Sequence, residues 1–200
     1  MTKLRINDDS DTPDDTGVIT VGDEPPTVHD IRIEHMMMDG NRRNVGIAIN
    51  TEGVELNAYT DNYVFDTVHV TDATDDAFDE DRDTNADPNI YPTRGLYYNC
   101  YAEDSRASGF LLRGNRVRAV GCMATNNAQG SSPPTDQAGI RYDPGEDGPS
   151  ASITNCMAWD QDGVGNYKML SGEVAFGQSN YSGEGSDNDD FTAVNNAREP

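Results

Sequence analysis

Acidic side chains are concentrated in one stretch of the sequence, and they are the residues best placed to do chemistry. Asp72, Asp75 and Asp76 lie together just after an apolar segment. Two carboxyl groups held about 5 to 10 Å apart are the catalytic pair of glycoside hydrolysis. These three aspartates are therefore the candidate catalytic residues. The alternative is coincidence, because adjacent aspartates also occur elsewhere in this chain, as in Asp189-Asp190.

A second acidic group follows at alternating positions. It comprises Asp79, Asp81, Asp83, Asn85 and Asp87. Alternating oxygen-bearing side chains can wrap around calcium, a hard cation that takes six to eight oxygen ligands. The segment lacks the glycine at the sixth position and the glutamate at the twelfth position of an EF-hand. The sequence thus offers one candidate calcium loop and no organic cofactor site, and the alternative is a solvated acidic loop.

Three cysteines, Cys100, Cys122 and Cys156, stand in nearly the same local sequence: Asn-Cys-Tyr-Ala, Gly-Cys-Met-Ala and Asn-Cys-Met-Ala. No two of them have the C-x-x-C spacing of a zinc or redox site. Their odd number also argues against a disulfide framework. Because buried cysteine packs as a small apolar residue, we expect the three thiols to lie in the core.

The three similar segments around the cysteines mark a repeat of strand, turn, strand and turn, and this repeat predicts the fold. It predicts an all-β chain, a parallel β-helix (solenoid) of about five to six coils with an extended N-terminal arm. The residues at one equivalent position of each coil, called the slot here, would then stack into a ladder along the axis. This predicted core ladder consists of His35, Thr67, Cys100, Cys122, Cys156 and Gln178.

The chain divides into three predicted parts. Residues 1–27 are rich in Asp, Pro and Gly and form the extended attachment arm, with one short strand candidate at residues 17–21. Residues 28–185 form the parallel β-helix, which carries an acidic insert at residues 74–93. Residues 186–200 form a polar tail. Helical periodicity is nearly absent, so little helix is expected.

The charge of the chain indicates its environment. The formal net charge is −22, and Lys3 and Lys168 are the only lysines. This composition resembles that of proteins from salt-in halophilic archaea, whose acidic surfaces are screened in molar salt. Nucleic-acid binding is not expected, because phosphate contacts need clustered basic residues. The one basic segment, with Arg113, Arg116 and Arg118, is interpreted as the outward face of a strand.

Two turns resemble those of a known superfamily. The segment from Ile31 to Arg42 ends in Asp-Gly-Asn-Arg, and the segment from Val68 continues to the double aspartate Asp75-Asp76. Both are similar to turns of the pectate-lyase-like right-handed parallel β-helix superfamily. The resemblance implies either a polysaccharide hydrolase or lyase, or a trimeric viral tail spike or fibre. The double aspartate matches the hydrolases in kind, whereas their Gly-His-Gly and Arg-x-Lys sequences are missing.

Two functions follow as expectations. The first is a structural virion component of a halophilic archaeal virus: a tail spike, fibre or capsid-surface protein that contacts the host surface. The second is a carbohydrate-active β-helix enzyme of a haloarchaeon. The incomplete catalytic set favours the first. No secretory signal and no apolar stretch of membrane-spanning length occur, which is typical of a protein assembled into particles in the host cytoplasm.

The expected partners follow from the virion hypothesis. A short β-helix leaves sheet edges open at its ends, and self-association covers them, so we expect a homotrimer. The arm at residues 1–27 would contact other virion proteins. A surface glycan or glycoprotein of the host would be the receptor, with neither nucleic acid nor membrane insertion involved.

Overall fold

The computed structural model describes residues 2–5, 18–22, 25–40, 52–83, 85, 90–127, 138–142, 150–159, 167–169, 173–176, 181–182 and 197–198. These residues form only strands and turns, with no helix among them. The strands are, in chain order, β1 (Thr2–Arg5), β2 (Ile19–Val21), β3 (Val28–Glu34), β4 (Met36–Asp39), β5 (Val54–Leu56), β6 (Thr60–Asp66), β7 (His69–Thr71), β8 (Phe78–Glu80), β9 (Thr93–Tyr98), β10 (Tyr101–Glu103), β11 (Phe110–Leu112), β12 (Val117–Val120), β13 (Met123–Thr125), β14 (Ile140–Tyr142), β15 (Ser150–Thr154), β16 (Met157–Trp159), β17 (Tyr167–Met169), β18 (Glu173–Phe176), β19 (Tyr181–Ser182) and β20 (Ala197–Arg198).

The strands build three parallel sheets that run along one axis. Sheet A has the order β1-β4-β7-β10-β13-β16-β19-β20, sheet B has the order β17-β14-β11-β8-β5-β2, and sheet C has the order β18-β15-β12-β9-β6-β3. The chain visits a strand of sheet C, then of sheet A, then of sheet B, and returns to sheet C one coil further on. This path is a parallel β-solenoid, which confirms the predicted all-β fold. About three turns, from β6 to β14, are described with their strand side chains, and the predicted coil number and handedness stay predictions.

The corner between sheets C and A is a single left-handed residue in each coil. The corner residues have φ between 52° and 67° and are His35, Thr67, Asn99, Gly121 and Asn155. Each described corner continues the ladder, as where the Asn99 N–H donates to the Val120 carbonyl over 2.9 Å. Asparagine and glycine tolerate this conformation well. A Cβ at Gly121 would come within 2.5 Å of the Asn99 side-chain oxygen, so any other residue at this corner would displace that side chain.

The inward ladder begins one residue after the corner. Tyr101 pairs with both His69 and Met123, so Cys100 aligns with Val68 and Cys122. The three cysteines occupy the predicted slot. His35 and Thr67 were assigned to that slot in the sequence analysis, but they form left-handed corners, and Met36 and Val68 pack inward in their place. Gln178 lies outside the described residues.

Aromatic rings fill the core between the three sheets. Phe78 and Phe110 stack face to face with ring centroids 4.6 Å apart, and Phe65 and Tyr97 stack at 5.4 Å. These rings and Tyr63 are fully buried. Burial of one large apolar side chain stabilises a fold by about 1.5 to 3 kcal/mol, so this stack contributes strongly to the middle coils.

Two predicted boundaries change once the strands are known. Strand β1 pairs with β4 and β2 pairs with β5, so the described parts of residues 1–27 add strands to sheets A and B. Within the predicted insert, β8 pairs with β5 and β11 as an ordinary strand of sheet B. The insert at residues 74–93 therefore contains one strand of a coil, and the polar segment begins only after Glu80.

Candidate functional site

The candidate catalytic aspartates lie where the chain enters sheet B. The register of β5, β8 and β11 aligns Glu52, Asp76 and Ser108 in one column, two residues before each strand. Glu52 is 3% exposed and Asp76 is 8% exposed. The Ser108 backbone N–H donates to the Asp76 carboxylate. The structure thus brings a glutamate that the sequence analysis missed next to one of the predicted aspartates.

Both carboxyl groups of this column hold protons unusually tightly. Burial, together with the nearby Asp75 carboxylate, raises the pKa of Glu52 to about 8. Burial and Asp75 likewise raise the pKa of Asp76 to about 7. A carboxyl group that is protonated near neutral pH is the property that a general acid needs.

The access of these carboxyl groups to a substrate is poor. A general acid must come within hydrogen-bond reach of the atom that it protonates. Glu52 and Asp76 are both more than nine-tenths buried. Asp72 forms a second left-handed corner, and its backbone N–H donates to the Glu103 carbonyl. Asp75 is half-buried, and its carbonyl accepts from the Ala107 N–H. The geometry therefore assigns Asp72, Asp75 and Asp76 to turns of the solenoid.

The Glu80 carboxylate accepts four hydrogen bonds from within the solenoid. It is fully buried in the core between the sheets. One carboxylate oxygen accepts from the hydroxyl groups of Tyr63 and Tyr97, and the other accepts from the backbone N–H groups of Arg113 and Gly114. Burial raises the pKa of Glu80, whereas these four hydrogen bonds lower it. This carboxyl group ties two successive coils together.

The predicted calcium ligands bind other partners. Arg113 lies between the carboxylates of Asp79 and Asp81, with N–O distances of 3.1 and 3.2 Å. Asp83 accepts hydrogen bonds from the Tyr59 hydroxyl and from the Asn85 N–H. Asp87 lies outside the described residues. Within the described part of the chain, no three His, Cys, Asp or Glu side chains are arranged to hold a metal ion.

The thiols of the cysteine ladder are buried in the core. Each cysteine is about 1% exposed, and none forms a disulfide. The sulfur of Cys100 donates to the Phe65 carbonyl over 3.3 Å, and that of Cys122 donates to the Tyr97 carbonyl over 3.4 Å. Burial raises the pKa of the Cys122 thiol well above its usual value, whereas the hydrogen bond with Cys122 lowers the pKa of Cys156. Because all three sulfurs are closed off from solvent, these cysteines serve packing.

The basic segment of the sequence divides between two faces. Arg113 turns toward the acids of sheet B. Arg116 and Arg118 flank the buried Val117 and are exposed on the outer face of sheet C, as the sequence predicts. A groove of about 590 Å³ opens beside them.

The chain was compared with known proteins at three levels. No family model matches it, and no curated protein or solved structure matches it either. The fold is that of a parallel β-solenoid protein, which is consistent with the β-helix fold that the turn sequences imply. Membership of the pectate-lyase-like superfamily and a viral origin stay predictions. Among the described residues, no helix is long and apolar enough to cross a membrane.

Proposed function

We propose that the chain is a non-enzymatic structural protein: a tail spike, fibre or capsid-surface component of a halophilic archaeal virus. The observation that carries this proposal is that the buried carboxyl groups bind other groups of the same chain. Asp76, Asp79 and Glu80 bind backbone or arginine groups inside the solenoid and hold its turns. Carboxyl groups bonded in this way stabilise the solenoid and leave few groups available for catalysis.

The ends of the solenoid support assembly with other chains. Among the described strands, sheet C ends on β3 and β18, and sheet B ends on β2 and β17. An end strand presents backbone groups that pair with another chain unless they are covered. Association in a closed symmetric oligomer covers such edges, and we propose a homotrimer. Residues 1–27 would contact the other virion proteins.

Two measurements test this proposal. Light scattering in high salt should give about three times the monomer mass of 21.8 kDa. Mass spectrometry of purified virus particles should find the protein at a fixed number of copies per particle. A monomer that is absent from particles would contradict the proposal.

One observation favours a second function, a polysaccharide hydrolase or lyase. Glu52 and Asp76 share a column, and both have a raised pKa. The test is the release of reducing ends from an acidic polysaccharide by the protein and by its Glu52→Gln and Asp76→Asn variants. Glu34→Gln, on the exposed face of sheet C, is the matched control. Activity that is lost in the first two variants alone, with the fold retained, would establish the enzyme.

A further inference from the structure

A groove of about 590 Å³ runs along the outer face of sheet C. Its lining comes from β6, β9, β12 and β15 and from the turn before β12. The register places Asn62, Arg94 and Arg116 in one column along the axis, and Arg118 and Ser152 in another. Neighbouring strands are about 4.8 Å apart, so four strands give a groove about 15 Å long.

The groove is basic on a strongly acidic protein. Arg94 bonds to the Asp61 carboxylate, which neutralises much of its charge. Arg116 and Arg118 are exposed, and within the described residues neither has a carboxylate at ion-pair distance. No acidic residue lines the groove. Two uncompensated guanidinium groups in a chain of net charge −22 therefore mark a local site for an anion.

The backbone gives an independent reason to look for a ligand. Asp30, Asn62, Arg94 and Arg116 form a column of left-handed residues with φ between 53° and 61°. Aspartate and asparagine tolerate this conformation, whereas other side chains make it unfavourable by about 1 to 2 kcal/mol. Arg94 has a folding role in its ion pair with Asp61, but folding gives no such reason for arginine at position 116. Residues held in unfavourable conformations cluster at functional sites.

We propose that this groove binds a short saccharide that carries carboxylate or sulfate groups. The planar guanidinium groups of Arg116 and Arg118 match such oxyanions with paired hydrogen bonds. The Asn62 amide nitrogen donates to the Asp30 carboxylate, so the Asn62 amide oxygen and the Ser152 hydroxyl, on either side of the groove, are the groups that can bond to sugar hydroxyl groups. Gly95, Val117 and Ala151 lie between the two columns and face the core, so the floor of the groove is backbone and leaves room for a sugar ring.

The strand pairing favours a saccharide over an acidic peptide. Strands β9 and β12 are paired on both sides, so their backbone groups are already used within sheet C. A peptide could not add to the sheet as a further strand, which is the common way of binding an extended peptide. The ligand must be short because an anion longer than the groove would lie on the surface of a chain of net charge −22, which repels it.

Calorimetric titration tests the site in the full-length protein. The probes are a trigalacturonate, a sulfated tetrasaccharide and neutral maltotriose, each at the lowest salt concentration that preserves the circular dichroism spectrum. At least one anionic probe should bind ten-fold or more tightly than maltotriose, and its affinity should fall as salt is raised. The carboxylated and sulfated probes distinguish the two sources of negative charge.

Variants assign the binding to the groove. The double change Arg116→Gln and Arg118→Gln should weaken binding at least ten-fold. Arg32→Gln is the matched control, because Arg32 is exposed on the same sheet and bonds to Glu34 and Asp66. Arg116→Gly, which also relaxes the left-handed backbone, should weaken binding without destabilising the fold.

The proposal is overturned if maltotriose binds as well as the anionic probes, if no probe binds, or if the double variant binds like the wild type. Equal binding of a short poly-glutamate peptide would overturn the assignment to a saccharide. The saccharide site names a ligand for the host contact in the proposed function, and in this respect it rests on that proposal. Saccharide binding is measured on the isolated protein, whereas the proposed function is tested by association with virions. Failure of one test therefore does not imply failure of the other.

Discussion

The two charged regions of this molecule use charge in opposite ways. Around the strands of sheet B, carboxyl groups are buried and bonded, as Glu80 is by two tyrosines and two backbone N–H groups. On the outer face of sheet C, Arg116 and Arg118 are exposed and, within the described residues, without an acidic partner. A buried charge must be compensated for the chain to fold, whereas an exposed charge is free to bind something else.

This difference changes where function should be sought. The acidic segment dominates the sequence and attracts a catalytic or calcium hypothesis. In the structure, its carboxyl groups are engaged with Arg113, with Ser108 and with neighbouring turns. The groove beside Arg116 and Arg118 cannot be recognised from the sequence, because its lining residues come from successive coils that meet only in the folded chain.

The first prediction introduces a buried acid that has no hydrogen-bond donors around it. Cys122→Asp places a carboxylate in the core beside Cys100 and Cys156 without donors such as those that surround Glu80. Burial of an uncompensated charge costs several kcal/mol, so the variant should fail to fold. Cys122→Ala is the control and should lose only about 1 to 2 kcal/mol. Circular dichroism and urea unfolding measure both, and a folded aspartate variant would refute the inward ladder.

A second prediction removes the acid and keeps its donors. Glu80→Ala leaves the hydroxyl groups of Tyr63 and Tyr97 and two backbone N–H groups without an acceptor. Each buried group left without a partner costs about 1 to 3 kcal/mol, so the loss should exceed about 4 kcal/mol in urea unfolding. Glu34→Ala, at an exposed position of sheet C, should change stability by less than about 0.5 kcal/mol. Similar losses in both variants would erase the distinction between the two regions.

The pH dependence of stability provides a third test. The pKa values of Glu52 and Asp76 are raised to about 8 and about 7, so their protonated forms are favoured in the folded state. Their contribution is fully present below about pH 4 and is lost as pH rises toward 8. The free energy of unfolding should therefore fall between pH 5 and pH 8, by up to about 1.4 kcal/mol per unit of pKa shift.

Glu52→Gln removes one of these two groups and should flatten that slope. The pKa of Asp61 lies well below its usual range because Arg94 binds it, so its contribution is lost only on acidification below about pH 4. Measurements at fixed salt between pH 5 and pH 8 therefore exclude Asp61. The difference between the wild type and Glu52→Gln separates Glu52 from Asp76, Asp79 and Glu80, whose pKa values burial also raises. A wild-type protein whose stability rises across this window would show that both carboxyl groups are ionised in the folded state.

The response to salt tests the exposed charge of the whole molecule. Repulsion within a chain of net charge −22 is relieved when the Debye length shrinks to about 3 Å at 1 M salt. The melting temperature should climb between about 0.2 and 2 M KCl. An unchanged melting temperature would show that the acidic surface is not an adaptation to high salt.

The fold could be predicted from the sequence because the repeat is local. The members of the inward ladder could not all be predicted, because they depend on the register in which successive strands pair. Cysteine, alanine and apolar residues recur at each coil, so the inward position of Cys122 follows from its own neighbours. The early coils were assigned one residue off because Thr67 and His35 do not reveal a left-handed corner as asparagine or glycine does. Only the backbone pairing shows that Val68 aligns with Cys100.

The candidate sites were less predictable because their partners come from other coils. The hydroxyl donors to Glu80 lie 17 residues before and after it, and Gly114 lies 34 residues after it. Arg94 and Arg116 are neighbours only through the pairing of β9 with β12. The sequence could predict that Arg118 faces outward, since it alternates with the buried Val117, but not that a groove lies beside it.

The most direct test of the contrast between the two regions is the unfolding free energy of Arg116→Gly in urea at fixed salt. Arg116 is left-handed, exposed and without an ion pair among the described residues, so folding should gain nothing from its side chain. Glycine adopts this conformation freely, and the variant should be as stable as the wild type or more stable by up to about 1 kcal/mol. A loss of more than about 1 kcal/mol would show that the arginine belongs to the fold, and would contradict the assignment of this charge to binding.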